Sequence, residues 1–135
     1  VSSKYLFEAA TLSFAPCSNL SITLCPTVSN LNVFFLPEYH NWASSLNIFT
    51  YYNILHYGPS YSIKNLPDKL KQIVAARLTR PEFAEVKRFL LLERDNDNLI
   101  KEFIQSTIEL DQHRKQNFEE TFGGWGKLIM EYKND

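Results

Sequence analysis

Cysteine, glycine and methionine are scarce in this chain: two Cys, four Gly and one Met among 135 residues. The spacing of Cys17 and Cys25 fits no zinc, haem or thioredoxin-like signature. So few glycines leave no loop able to cradle a nucleotide phosphate, and the HExxH helix, the EF-hand loop and the nucleophile elbow are all missing. Nothing therefore supports an independent hydrolase or kinase, and no residue is singled out as catalytic or metal-ligating. No uninterrupted apolar run reaches about 18 residues, so no membrane span is expected. A formal net charge of −1 provides no general attraction for nucleic acid or anionic lipid.

What is present suits one domain around a single core, with 44% hydrophobic and 21% charged residues. Two widely separated thiols suggest a reducing, cytoplasmic compartment, with Cys25 as a small core residue; a Cys17–Cys25 disulfide is the other reading. The opening YLFEAATLSFAPC has the apolar character of a signal-peptide core, but Glu8 interrupts it and only Lys4 precedes it. A targeting role is not expected. The chain starts at Val1, which suggests a start part-way through a longer protein. Residues 1–18 show no clean periodicity and form an undetermined N-terminal segment.

From Leu20 a pattern emerges. Leu20, Ile22 and Leu24 alternate with Ser21, Thr23 and Cys25 at the period of a strand, which Pro26 ends or bends. A helix follows, with Asn32 as a possible cap, Pro37 in its first turn, and Leu36, Tyr39, Ala43 and Leu46 along one face. The β-branched and aromatic run from Ile48 to Leu55 predicts a second strand, ended by a turn at Tyr57-Gly58-Pro59-Ser60. Strand, helix and strand make a βαβ unit with two parallel strands. Helical periodicity then predicts three helices: Leu66 to Leu78, Pro81 to Leu90, and one beginning after Asp95-Asn96-Asp97 with Leu99, Ile100, Phe103, Ile104, Thr107 and Ile108 inward. A short amphipathic piece around Phe118 and Phe122 is broken by Gly123-Gly124. The fold class expected is α/β: a partial parallel barrel at residues 19–62, followed by a helical extension at 63–135. Two parallel strands are too few for a stable sheet, so the pair needs neighbours that the sequence does not obviously supply.

The stretch from Ser21 to about Phe122 resembles phage and bacterial radical SAM proteins with a twitch-type C-terminal domain. The residues that carry the resemblance are ITLCPTVSNLNVFFLPEYHNWA, NILHYGPSYSIKNLPDKLK and LDQHRKQNFEETF, in that order. The first is similar to a late barrel strand with its turn and helix, the second to the last barrel strand entering the extension, and the third to the end of the helical tail. Gly123-Gly124-Trp125 departs from the Pro-Glu pair expected there, and the segment before Asn19 matches poorly. The resemblance implies S-adenosylmethionine and a [4Fe–4S] cluster for a full-length relative. Such a cluster needs three closely spaced thiolates in a CxxxCxxC loop. Two cysteines without that spacing cannot hold it, so no cofactor is expected in this chain alone. The resemblance thus implies a C-terminal fragment whose partner is the missing N-terminal half of the barrel. A peptide, protein or small molecule would be the substrate.

Ligands of parallel α/β folds sit at the carboxyl ends of the strands. Those ends carry Thr27, Ser29 and Asn30 after the first strand, and Asn53 and His56 with Tyr57 after the second. By resemblance they would face the adenosine or the substrate. The plainer reading makes Ser29 and Asn30 turn formers and His56 a partly buried histidine. Glu38 and His40 read as a solvated helix face, and Asp111 with Arg114 as a surface pair. Phe49, Tyr51, Tyr52, Tyr57 and Tyr61 read as core, or as a substrate-stacking wall. A second hypothesis rests on charge. Residues 64–92 carry seven basic and three acidic side chains, whereas residues 93–135 carry ten acidic and six basic. On that view the chain is a stand-alone helical module that docks an acidic partner through residues 64–88.

Overall fold

A computed structural model describes residues 19–135. The alternation read in the sequence sets the first elements. Ile22, Leu24 and Pro26 are half-buried and Val28 is buried, while Ser21, Thr23, Cys25 and Thr27 face outward. Strand β1 (Thr23–Leu24) pairs in parallel with β3 (Phe49–Thr50), and β2 (Thr27–Val28) with β4 (Asn53–Ile54). Both pairs keep one register, with Thr23 opposite Phe49 and Thr27 opposite Asn53. The two form one ladder interrupted at Cys25-Pro26, because proline has no N–H to donate. Tyr51 N donates to Leu24 O (2.8 Å), Asn53 N to Pro26 O (3.0 Å) and Leu55 N to Val28 O (3.1 Å), which carries the pairing across the interruption.

Between these strands lies helix α1 (Leu36–Ser45), entered through a 3₁₀ turn at Val33–Phe35. Pro37 sits in its first turn as expected, where a missing N–H costs nothing. The α-helical N-cap is Phe35, while Asn32 holds the N-cap position of the 3₁₀ turn that leads into it, without a side-chain capping bond. The Asn32 side chain is occupied one turn earlier: its Oδ1 accepts from Ser29 N (2.9 Å) and its Nδ2 donates to Thr27 O (2.9 Å). The rest is helical, with α2 (Asp68–Arg77), α3 (Ala84–Leu90), α4 (Leu99–Arg114) and α5 (Phe118–Met130). The protein is mixed α/β and mostly helical. Among the described residues the sheet has two short parallel strand pairs and no closed barrel.

The C-terminal piece extends further than its sequence suggests. Gly123 has φ 54° and ψ −130°, a conformation essentially restricted to glycine, and it breaks the helix as expected. The chain then resumes as a helix, which carries Trp125 and Ile129 into the interior. Gly126 allows this close return, since a Cβ there would lie 3.0 Å from Phe118 O and 3.1 Å from Glu119 Cα. Trp125 is fully buried and stacks on Phe34, with ring centroids 5.2 Å apart and planes 9° apart. One buried cluster joins Val28, Val33 and Leu36 to Leu70, Phe83, Phe103, Phe118 and Trp125, so both halves of the chain share a core.

Several expected core residues are not inside. Cys25 is exposed, because it shares the outward strand face with Ser21 and Thr23. Phe49, Tyr51 and Tyr57 are 69%, 59% and 89% exposed. Strand alternation sends Phe49 and Tyr51 to the face away from the helices, and Tyr57 lies in the turn. Tyr52 and Tyr61 do pack against the core. His40 is a correction in the opposite direction. Its expected place on a solvated helix face is overturned by burial against Tyr52 and Phe83, whereas Glu38 on the same helix stays exposed. Asp111 is half-buried and its Oδ2 accepts from Phe118 N (2.7 Å), which ties α4 to the start of α5.

Trp125→Ala should lower the unfolding free energy by about 3–5 kcal/mol in urea titrations, the usual cost of a large aromatic cavity. Gly123→Ala should lower it by about 1–3 kcal/mol through backbone strain, since nothing lies near the added methyl.

Candidate functional site

The carboxyl ends of β2 and β4 separate the five candidate residues into two groups. Thr27 and Asn53 are direct register partners, and both are exposed. His56 is also exposed, with its ring edge against Phe89 at a centroid distance of 5.0 Å. Ser29 and Asn30 are buried, 8% and 1% exposed. The structure therefore places three of the five at the surface and two in the interior.

The buried two act as braces. Ser29 Oγ accepts from Leu31 N (3.3 Å), closing the turn that leads to α1. Asn30 binds three parts of the chain: its N donates to Tyr61 O (3.0 Å), its Nδ2 to Ser60 O (2.8 Å), and its carbonyl accepts from Trp125 Nε1 (2.8 Å). Its Oδ1 is buried with no hydrogen-bond partner among the described residues. The turn-forming reading of Ser29 and Asn30 thus matches the contacts they make. His56 is more exposed than a partly buried histidine would be.

Around these residues lies an open sheet face. Leu20 (62% exposed), Phe49 and Tyr51 add apolar surface to the polar side chains of Thr23, Thr27 and Asn53. Parallel strands are normally covered on both faces. Among the described residues this pair is covered by the core on one face only.

Two polar groups escaped the sequence reading. His40 Nδ1 lies 2.7 Å from Tyr52 Oη, and its Nε2 lies 3.6 Å from Glu82 Oε1. Burial raises the Tyr52 phenol above its ordinary range, with Tyr39 and Glu82 adding to the effect and Arg80 opposing it, so Tyr52 keeps its proton. The His40–Tyr52 hydrogen bond joins the two rings, and the other imidazole nitrogen faces Glu82. The backbone N–H of Glu82 holds that carboxylate below the usual range, with Arg80 and His40 reinforcing the effect. A helix stripe alone cannot signal such a histidine, because its partners come from a strand connection and a later turn.

The second group joins residues 63–65 to the α3–α4 loop. Lys64 Nζ lies 2.6 Å from Asp95 Oδ1, while buried Asn65 donates through Nδ2 to Asp95 Oδ2 (3.2 Å) and accepts from Asp95 N (2.8 Å). The Lys64 and Asn65 hydrogen bonds depress the Asp95 carboxyl below its ordinary value. A depressed folded-state pKa contributes stability that is present above the unfolded value, near 4, and is lost as pH falls through the folded value.

Among the described residues no three His, Cys, Asp or Glu side chains converge as a metal site, and no helix is long and apolar enough to cross a membrane. Cys17 lies outside the described residues, so the disulfide alternative does too.

Asn30→Ala should destabilise the protein by about 1–3 kcal/mol, since it removes the buried side chain that donates to Ser60 O. Thr27→Ala and His56→Ala should stay within about 0.5 kcal/mol of the parent in the same urea titration. Asp95→Asn should flatten the loss of thermal stability below pH 4, and an unchanged acid limb would refute that assignment.

The chain matches no protein-family model, no curated protein and no solved structure.

Proposed function

We propose that this chain is the closing portion of a radical SAM-type α/β enzyme, supplying the last βαβ unit, a helical tail and one wall of a substrate pocket. The observation that carries the proposal is the half-covered parallel pair. Its inner side is packed by the helical core, and its outer side presents Phe49 and Tyr51 to solvent. The sequence resemblance over Ser21 to Phe122 supplies the family.

The residues do not fit an iron–sulfur cluster, because two cysteines lack the three-thiolate spacing and Cys25 stands alone on the outer strand face. Cluster chemistry belongs to the missing N-terminal half on this reading. For S-adenosylmethionine the fit is that of a wall rather than a site. Ser29 and Asn30 are committed to the turn, while Thr27, Asn53 and His56 present exposed hydroxyl, amide and imidazole groups at the strand ends.

The docking-module reading gains less from the structure. Lys64 faces Asp95, Lys69 faces Glu131, Arg77 faces Glu38, Arg80 faces Glu82 and Arg88 faces Glu85. Lys71 is buried. Most of the basic charge at 64–88 is therefore balanced within the chain.

Co-expression with a CxxxCxxC-bearing polypeptide encoded beside it tests the proposal. The two should co-purify with an iron–sulfur absorption band. Phe49→Asp with Tyr51→Asp should abolish co-purification while leaving the unfolding free energy of the chain within about 0.5 kcal/mol. A complex that survives both substitutions, or a preparation free of iron and partner, would overturn it.

A further inference from the structure

Among the described residues one amine is buried without an ion-pair partner. Lys71, in the first turns of α2, is 4% exposed and donates from Nζ to Leu92 O at 2.5 Å. Among the described residues no ion pair neutralises it; its neighbour Asp68 faces Arg94 instead, at 3.7 Å. Burial pushes the Lys71 ammonium below the ordinary lysine range, with Asp68 opposing the effect and Arg94 and Lys64 reinforcing it. An amine in such a setting is neutral, and hence nucleophilic, in a larger fraction of molecules than a surface lysine.

Lys71 also lines a surface depression of about 460 Å³, together with Asp68, Leu92, Glu93, Arg94 and Asp97. Arg94 is 26% exposed and its partners Asp68 and Asp97 are 78% and 83% exposed. Ion pairs with such solvated carboxylates are weak. An anionic group on a ligand can therefore replace them at the guanidinium, and a planar carboxylate suits its paired donors.

We propose that Lys71 is a carbonyl-reactive amine, and that the depression takes a small aldehyde or 2-oxo acid carrying an anionic group that Arg94 holds. The Nζ lone pair forms a C–N bond to the carbonyl carbon as the C=O π bond breaks. The oxygen gains a proton and the nitrogen loses one, giving a carbinolamine. Loss of its hydroxyl as water yields the imine, and no oxidant or reductant is consumed. Asp68 and Glu93 line the same depression and can exchange these protons with solvent.

The test uses the full chain with glyoxylate and cyanoborohydride at neutral pH, followed by peptide mass mapping. Lys71 should carry the reduced adduct faster than exposed Lys69 and Lys101. This comparison is internal to the parent protein, so it needs no variant to fold. Arg94→Met should slow glyoxylate labelling of Lys71 more than formaldehyde labelling, because loss of the nearby positive charge makes the amine less reactive toward both reagents and only glyoxylate also loses its anion partner. Labelling of Lys71 at or below the rate of the surface lysines would overturn the amine assignment. Equal slowing of both reagents would overturn the anionic class of ligand.

Discussion

The fold depends on the burial of Trp125 beneath the turn that joins β2 to α1. The indole N–H donates to Asn30 O, and the ring stacks on Phe34, whose own ring also lies 4.2 Å from the Arg77 guanidinium carbon. Arg77 in turn donates from Nε to Phe34 O (2.9 Å) and pairs with Glu38. The last helix, the βαβ crossover and α2 thus meet at one aromatic ring. A buried carbonyl that has lost its water requires a donor, and the donor that meets this need comes from 95 residues further along the chain. This couples the tail to the sheet. The C-terminal helix is a structural part of the βαβ unit and not an appendage to it.

The same organisation explains why the sheet is covered on one side. Val28 and Ile54 on the inner strand face join the main cluster that the helices build. The opposite face carries Thr23, Thr27, Phe49, Tyr51 and Asn53 in the open. Covering that face would remove apolar side chains from water, at roughly 25 cal/mol per Å² of apolar surface buried. An element that covers this face would gain this contribution, and that gain is what supports the proposal of a larger α/β assembly.

Polar groups inside the protein serve mainly as connectors. His40 with Tyr52 fixes α1 against the sheet, and Asn65 with Asp95 fixes the α3–α4 loop against residues 63–65. Asn30 joins the strand end to the 3₁₀ turn at Pro59–Tyr61. Each pair links segments distant in sequence, so a polar residue that reads locally as a turn former or a solvated side chain is held in the interior by a remote partner. Lys71 differs from them. Its Nζ donates to the Leu92 carbonyl, and among the described residues no carboxylate pairs with it.

Local periodicity and backbone chemistry made the elements legible in the sequence. Period-two alternation from Leu20 marked the first strand, the apolar spacing from Leu66 to Leu78 and from Leu99 to Ile108 marked two helices, and Gly123 marked a break. Each of these signals is set by neighbours within a few residues, which is why they survive without tertiary knowledge. The candidate site was legible only in part. The strand ends placed Thr27 and Asn53 together, but nothing local distinguished Asn30 as a buried brace or His40 as an interior residue. The side on which Phe49 and Tyr51 would lie was equally hidden, because alternation says that two faces exist and not which one the helices cover. The sequence by itself determined the order of strand, helix, strand and helices. The tertiary structure alone decided which face is open, which polar groups are buried and where Trp125 sits, because burial depends on contacts between segments far apart in the chain.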